Sequence, residues 1–194
     1  MELQKIRPNP EPKAELEQYS TPADIAADIL FHAFTNGDIT NKKIVDLGCG
    51  TGIFSIGSAL LSAEEVLAVD IDQKVIDAAK KEAKRFDVFD KIKFITKDVE
   101  DIKTEADTIV MNPPFGSQNR GADIPFLEKA FDIAPRIYSL HNAKTEDFLR
   151  KFINTNGYSI FWEKRYMFGV DRIFRFHKKE REEFEVILFA IERK

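Results

Sequence analysis

Between the run Lys43-Ile44-Val45-Asp46-Leu47 and the helically spaced segment Ile53 to Ser62 lie three glycines in five positions, Gly48-Cys49-Gly50-Thr51-Gly52. Strand, glycine-rich turn and helix in that order open a nucleotide-binding α/β unit, because glycine lets the backbone turn tightly and pass close to a ligand. Val66 to Asp70 reads as a second buried strand. Its terminal carboxylate falls about twenty residues after the first glycine, the separation at which an acidic side chain grips ribose hydroxyls. The loop lacks the Lys and Ser/Thr of a phosphate cradle, and its glycines depart from the dinucleotide spacing. A ligand with adenosine but no pyrophosphate is expected.

The alternation of strands and helices continues along the chain. Upstream, Ala23 to Phe34 has helical spacing, with Thr21 as its N-cap and Pro22 in the first turn, so Gln18 and Tyr19 lie on the approach to a helix. Downstream, Gln73 to Arg85 is helical. Lys91 to Ile95 alternates lysine with apolar residues, as an edge strand does, and Asp98 follows it. The strand Asp107 to Met111 is stopped by Asn112-Pro113-Pro114-Phe115-Gly116, which sets an amide, a free carbonyl and a ring where open α/β sheets bind ligands. Taken alone, Asn-Pro-Pro also reads as an ordinary turn. Gly116 to Asp123 is a polar loop suited to closing over a substrate. Helices at Ile124 to Ala134 and Glu146 to Asn156, and strands at Arg136 to Leu140, Tyr158 to Trp162 and Phe184 to Ile191, complete the reading.

Cys49 is the only cysteine, which excludes an internal disulfide and a multi-cysteine metal site and fits a cytoplasmic protein. The polar, proline-containing amino terminus has no signal-peptide core, and no apolar run is long enough for a membrane span. A formal net charge of -4 does not announce a nucleic-acid binder. Locally the balance reverses: Lys164, Arg165, Arg172, Arg175, Lys178, Lys179 and Arg181 stand against Asp171 and Glu180, seven minus two, or +5. Tyr166, Phe168, Phe174 and Phe176 are interleaved with them. Such a stretch neutralises phosphates and stacks bases, or it is a solvated hairpin with core aromatics.

Asp46 to Gly52, Asp70, Asp98 and Asn112-Pro113-Pro114-Phe115 resemble, in order and spacing, the Rossmann-like S-adenosylmethionine-dependent methyltransferases that modify planar amino nitrogens. Leu16-Glu17-Gln18-Tyr19, Met111 to Gly116, Tyr138-Ser139-Leu140-His141 and Phe176-His177-Lys178-Lys179 are similar to the adenine-N6 methyltransferases of small-subunit ribosomal RNA. The resemblance implies an α/β fold: one domain over residues 14–194 with a mostly parallel seven-stranded sheet, an antiparallel strand near the carboxyl terminus and helices on both faces. Residues 1–13 would be a flexible leader, and 163–183 a basic insertion between the last two strands. S-adenosyl-L-methionine is the implied cofactor, leaving as S-adenosyl-L-homocysteine, and no metal is needed.

Carried over by position, Asp46 and the Gly48, Cys49, Gly50, Thr51 and Gly52 loop wrap the methionine part of the cofactor. Asp70 with Ile71 holds the ribose, Asp98 with Val99 the adenine, and Gln18, Thr21 and Asn112 lie near the cofactor. Asp98 also reads as a plain turn cap. In the catalytic turn, the Asn112 oxygen and the Pro113 carbonyl accept the two hydrogens of an adenine amine. That biases a delocalised nitrogen toward pyramidal geometry. Neither Pro113 nor Pro114 brings a competing N–H, and Phe115 stacks on the presented base. Lys164, Arg165, Arg172, Arg175, His177, Lys178 and Lys179 are the expected contacts to RNA; His141 touches RNA or satisfies local hydrogen bonds. The resemblance also implies a small zinc-binding activator protein, docked on the Phe86 to Ile95 edge by strand addition. A glutamine-N5 protein methyltransferase and a noncatalytic RNA-binding subunit are the alternatives.

Overall fold

A computed structural model of the 194-residue chain describes all residues except Met1, Pro10, Ser117, Gln118 and 172–180. The chain alternates helix and strand as α1 (Ala23–Thr35), β1 (Lys43–Leu47), α2 (Ile53–Leu60), β2 (Glu65–Asp70), α3 (Gln73–Arg85), β3 (Ile92–Thr96), β4 (Thr108–Met111), α4 (Ile124–Ile133), β5 (Arg136–Asn142), α5 (Glu146–Thr155), β6 (Tyr158–Asp171) and β7 (Arg181–Arg193). The seven strands form one sheet in the order β3-β2-β1-β4-β5-β7-β6. All neighbours run parallel up to β5, while β7 is antiparallel to both β5 and β6.

Both faces of the sheet are covered, which is why its strands read as nearly continuous apolar runs. Along β7, Val186, Leu188 and Ala190 join one core with α1, α2 and α3, whereas Ile187, Phe189 and Ile191 join the other with α4 and α5. Ile109 and Val110 of β4 divide in the same way. The period of two along a strand thus builds two cores from one sequence of hydrophobes. β3 lies at the sheet edge, as its alternating lysines predict.

Three expectations change. Thr21 does not cap α1: the N-cap is Pro22, without a side-chain cap, and Thr21 points elsewhere. The last two strands run well past Trp162 and begin well before Phe184, pairing Phe168 with Phe184 and Asp171 with Arg181. Charge hides this extension in the sequence, and carboxylates on the flanking elements absorb it. Lys164 and Tyr166 both reach Asp28 of α1, at 2.7 and 2.6 Å, on one face of β6. Arg165 meets Glu185 at 2.6 Å and also Glu146 of α5 on the other.

The third concerns the flexible leader expected over residues 1–13, part of which is seated against the core. Leu3 is 1% exposed and sits in the core with Leu30 and Ile56, and the Arg7 amide donates to Glu82 of α3 at 3.3 Å. Proline and charge content make the segment look solvated, but one leucine is enough to seat it. Leu3→Ala should therefore cost about 2 kcal/mol, the low end of buried leucine truncations because a terminal turn relaxes. The urea unfolding midpoint measures this, and an unchanged midpoint would return the segment to solvent.

Candidate active site

The order of the sheet places β1 between β2 and β4, where successive connections leave in opposite directions, and a cavity of about 280 Å³ opens at the carboxyl ends of these strands. Its floor is the glycine loop. Gly48 has φ +70, and a Cβ there would stand 3.0 Å from the Phe126 ring. Gly52 has φ +85, and its Cβ would meet Ala79 at 3.3 Å. Either side chain would strain the backbone and push on packed neighbours. Gly52 is the N-cap of α2 and offers no side chain, so the cap comes from elsewhere. Asp46 accepts from the Ser55 amide at 2.9 Å and from the Ser55 hydroxyl at 2.5 Å.

Asp46 is buried behind the loop, and burial pushes its carboxyl up to about 7 against the hydrogen bonds from Ser55. Its Oδ1 finds no hydrogen-bond partner among the described residues. Burial likewise pushes the Cys49 thiol well above its ordinary range, so this cysteine is packing and not a nucleophile. At the end of β2, Asp70 accepts from the Gly50 amide at 3.0 Å and from the Asp72 amide at 2.9 Å, which ties the loop to the second strand. Burial raises its carboxyl. Asp98 accepts from the Glu100 amide at 3.0 Å, as a turn cap does, and also lines the cavity.

The far wall is the amino-terminal stretch. Gln18 donates to Asp72 at 3.0 Å and accepts from the Asn9 side chain at 3.0 Å and the Lys13 amide at 2.8 Å. Lys13 adds an ion pair to Asp72 at 2.9 Å. Against the pull of burial, the Gln18 and Lys13 contacts hold the Asp72 carboxyl below its usual range.

Past β4 the proline turn presents Asn112. Its Nδ2 donates to Thr21 Oγ1 at 3.0 Å, which fixes the amide plane. Its Oδ1 is buried and has no hydrogen-bond partner among the described residues. A buried acceptor left open beside a cavity calls for a donor on the ligand. The Phe115 amide donates to Glu17 Oε2 at 2.8 Å, and the Phe115 ring meets Phe168 and Phe184 edge-on, each at 5.5 Å between centroids.

Of the residues expected to bind cofactor, Gln18, Thr21, Gly48, Cys49, Gly50, Thr51, Asp70, Ile71, Asp98, Val99 and Asn112 all line this one cavity, and so does Pro114. Asp46, Gly52, Pro113 and Phe115 do not; the first two shape the loop from behind. Lys164 and Arg165 are half-exposed and already paired with carboxylates, so their charge is balanced within the fold. Phe168 is fully buried, which makes it a core aromatic and not a base-stacking one. Arg172, Arg175, His177, Lys178 and Lys179 lie outside the described residues. His141 is buried between Ser139 at 2.7 Å and Asp123 at 3.0 Å, which is the local hydrogen-bonding outcome.

Glu17 and Phe126 are the residues that the sequence reading passed over. Phe126 is an ordinary apolar position of α4 and becomes a wall only because Gly48 has no side chain to displace it. Glu17 is buried at φ +47, a left-handed backbone that costs a side-chain-bearing residue about 1–2 kcal/mol. Nothing in Leu16-Glu17-Gln18-Tyr19 announces that conformation.

The methyltransferase small domain family matches residues 19–136. The rRNA N(6)-adenosine-methyltransferase METTL5 of Danio rerio is 35% identical over 191 residues, covering 95% of this chain and 92% of the relative. Mettl5 of Drosophila melanogaster, with the same description, is 34% identical over 200 residues, covering 98% and 92%. The crystal structure of protein PH1948 from Pyrococcus horikoshii superposes with a TM-score of 0.93 at 36% identity, covering 99% of this chain and 94% of that one.

The Asp46 carboxyl gives the ligand-free protein a pH signature. Its folded value, about 7, lies above the ordinary 3.8, so the folded chain holds a proton that the unfolded chain has lost. The associated stability is present below about pH 4 and is lost as pH rises through about 7, on the order of 2–4 kcal/mol. Asp46→Asn should flatten that slope in urea unfolding measured from acid to neutral pH; parallel slopes would mean that folding leaves the Asp46 carboxyl at its ordinary value.

Proposed function

The chain belongs to the methyltransferase small domain family, and from that premise we propose that it methylates the N6 amine of an adenosine in small-subunit ribosomal RNA, with S-adenosyl-L-methionine as donor. The observation that carries the reading is the open, buried Asn112 Oδ1 at the end of β4, next to two residues that bring no N–H. An amine with two hydrogens is the donor this acceptor lacks. The names of the two METTL5 relatives, which the chain matches over nearly its whole length, supply the choice of adenosine N6 and of ribosomal RNA.

The cavity fits the cofactor. Asp70, held by two amides, keeps lone pairs for ribose hydroxyls. Asp98 is placed for the adenine amine, with Ile71 and Val99 as apolar neighbours for the ring. The glycine loop, backed by Asp46, accommodates the methionine portion. When bound, S-adenosylmethionine supplies an electrophilic methyl on a sulfonium. The chain supplies alignment: the Asn112 oxygen and the Pro113 carbonyl accept the two amine hydrogens and turn the nitrogen lone pair toward that methyl. Asn112 is an acceptor and takes no proton. Phe115, held edge-on by Phe168 and Phe184, offers its remaining face to the base.

Phosphates are assigned to Arg172, Arg175, Lys178 and Lys179 with His177, because Lys164 and Arg165 are engaged in ion pairs. The exposed edge of β3, flanked by the stacked Phe89 and Phe94, is assigned to a small zinc-binding activator protein. Among the described residues no helix is long and apolar enough to cross a membrane; the cytoplasm is the proposed location.

Purified protein, with its activator where needed, should transfer label from S-adenosylmethionine to ribosomal RNA, recovered as N6-methyladenosine. Asn112→Ala should lower the rate at least about a hundredfold while cofactor affinity stays within about threefold. Label on protein alone would move the acceptor to an amide nitrogen. Replacing Arg175, Lys178 and Lys179 by Ala should weaken RNA binding and reduce the slope of log affinity against log salt by about 2–3. An unchanged slope would remove these side chains from the interface.

A further inference from the structure

Residues 15–21 touch both halves of the reaction. Leu16, Gln18 and Thr21 form part of the cofactor cavity wall. From the same stretch, Thr21 holds the Asn112 amide and Glu17 holds the Phe115 amide, at 3.0 and 2.8 Å. On the other side Gln18 and Lys13 fasten it to Asp72, just past β2. The Glu17 contact spans 98 positions of the chain and joins two buried or half-buried groups.

The covalent structure of the turn gives that contact its importance. Pro113 and Pro114 have no N–H, so the Phe115 amide is the first backbone donor after Asn112. Whatever accepts from it fixes the Pro114–Phe115 peptide plane, the unit that follows the Pro113 carbonyl and from which the Phe115 ring springs. The acceptor is a carboxylate on a residue whose backbone is left-handed, at φ +47, and which is 7% exposed. Such a conformation persists only where its surroundings over-determine it.

We propose that Glu17 is a positioning residue that couples the cofactor cavity to the acceptor turn, so that occupation of the cavity holds the turn more firmly. The inference rests on the methyltransferase reading above. A ligand packed against residues 15–21 orders the stretch that carries Glu17. Ordering Glu17 fixes the Phe115 amide and with it the peptide plane that closes the turn. Coupling of this kind is reciprocal: a bound acceptor tightens the cofactor by the same factor.

Hydrogen exchange at the Phe115 amide, followed by NMR on the full-length 15N-labelled chain, tests this with S-adenosylhomocysteine as the probe. In the wild type, saturating probe should slow exchange at Phe115 by about tenfold. Glu17→Gly removes the carboxylate and relieves the left-handed strain, so the chain folds; by the same reciprocity the probe should bind up to about tenfold more weakly, and at saturation exchange at Phe115 should no longer respond. Glu17→Gln keeps an acceptor oxygen and should restore the response. In steady-state transfer, Glu17→Gly should lower kcat about tenfold and raise the cofactor KM by a comparable factor, and Glu17→Gln should recover most of both. An equal response in wild type and Glu17→Gly, or none in the wild type with probe bound, overturns the coupling. The exchange readout needs no methyl acceptor, so failure to methylate RNA would overturn the choice of substrate and leave this result standing. Failure of the wild type to bind the probe would overturn both.

Discussion

The register of Leu47 is the constraint on which the site depends. This one residue of β1 pairs with Val69 of β2 on one side and with Met111 of β4 on the other. The next residue on each strand is therefore Gly48, Asp70 and Asn112, and the three leave the sheet side by side at its carboxyl end. A slip of one residue in either pairing would send a site side chain to the opposite face. Two buried faces forbid the slip, because alternate residues of β4 belong to different cores. The hydrophobic pattern that makes the sheet thus also sets the distance between the Asp70 carboxylate and the Asn112 amide.

Most of this was legible because the signals were local. α3 has the predicted bounds, Gln73 to Arg85, since a period of 3.6 continued over 13 residues has no strand alternative. The glycines of the loop and the prolines after Asn112 act on their own backbone, and they read correctly from sequence. What escaped depends on partners remote in the chain. Leu3 is one apolar residue in a polar stretch, and only a pocket between α1 and α2 explains its burial. Arg165 looks like a phosphate contact until Glu146 and Glu185 are brought to it. Thr21 has every local mark of an N-cap, yet its hydroxyl meets Asn112, 91 positions away. Glu17 adds a backbone conformation that no residue-type preference encodes.

Charge divides the work of the molecule. Asp70 and Asp98 line the cavity, a setting that favours a cationic ligand and repels phosphate. A polyanionic acceptor has to be held by a different surface, and the sequence concentrates its basic residues between Asp171 and Arg181. The β6 and β7 pair carries that segment, and its Phe168 and Phe184 press edge-on against Phe115. The same aromatic contact that supports the acceptor turn therefore ties it to the base of the basic segment. Lys164 and Arg165, spent on Asp28 of α1 and Glu146 of α5, anchor the strand pair to the helices.

The acceptor turn is arranged around a deficit of donors. Leaving Asn112 Oδ1 buried and open costs about 1–3 kcal/mol, which a single backbone N–H nearby would offset. Pro113 and Pro114 remove the two nearest candidates, and the next, that of Phe115, is occupied by Glu17. Thr21 takes the Nδ2 side of the amide and so leaves only the oxygen without a partner among the described residues. The three residues after Asn112 therefore offer its oxygen no free backbone N–H, and the free energy withheld from folding is available to a ligand amine. Such a site needs little rearrangement when that amine arrives, which is the property that alignment-driven transfer requires.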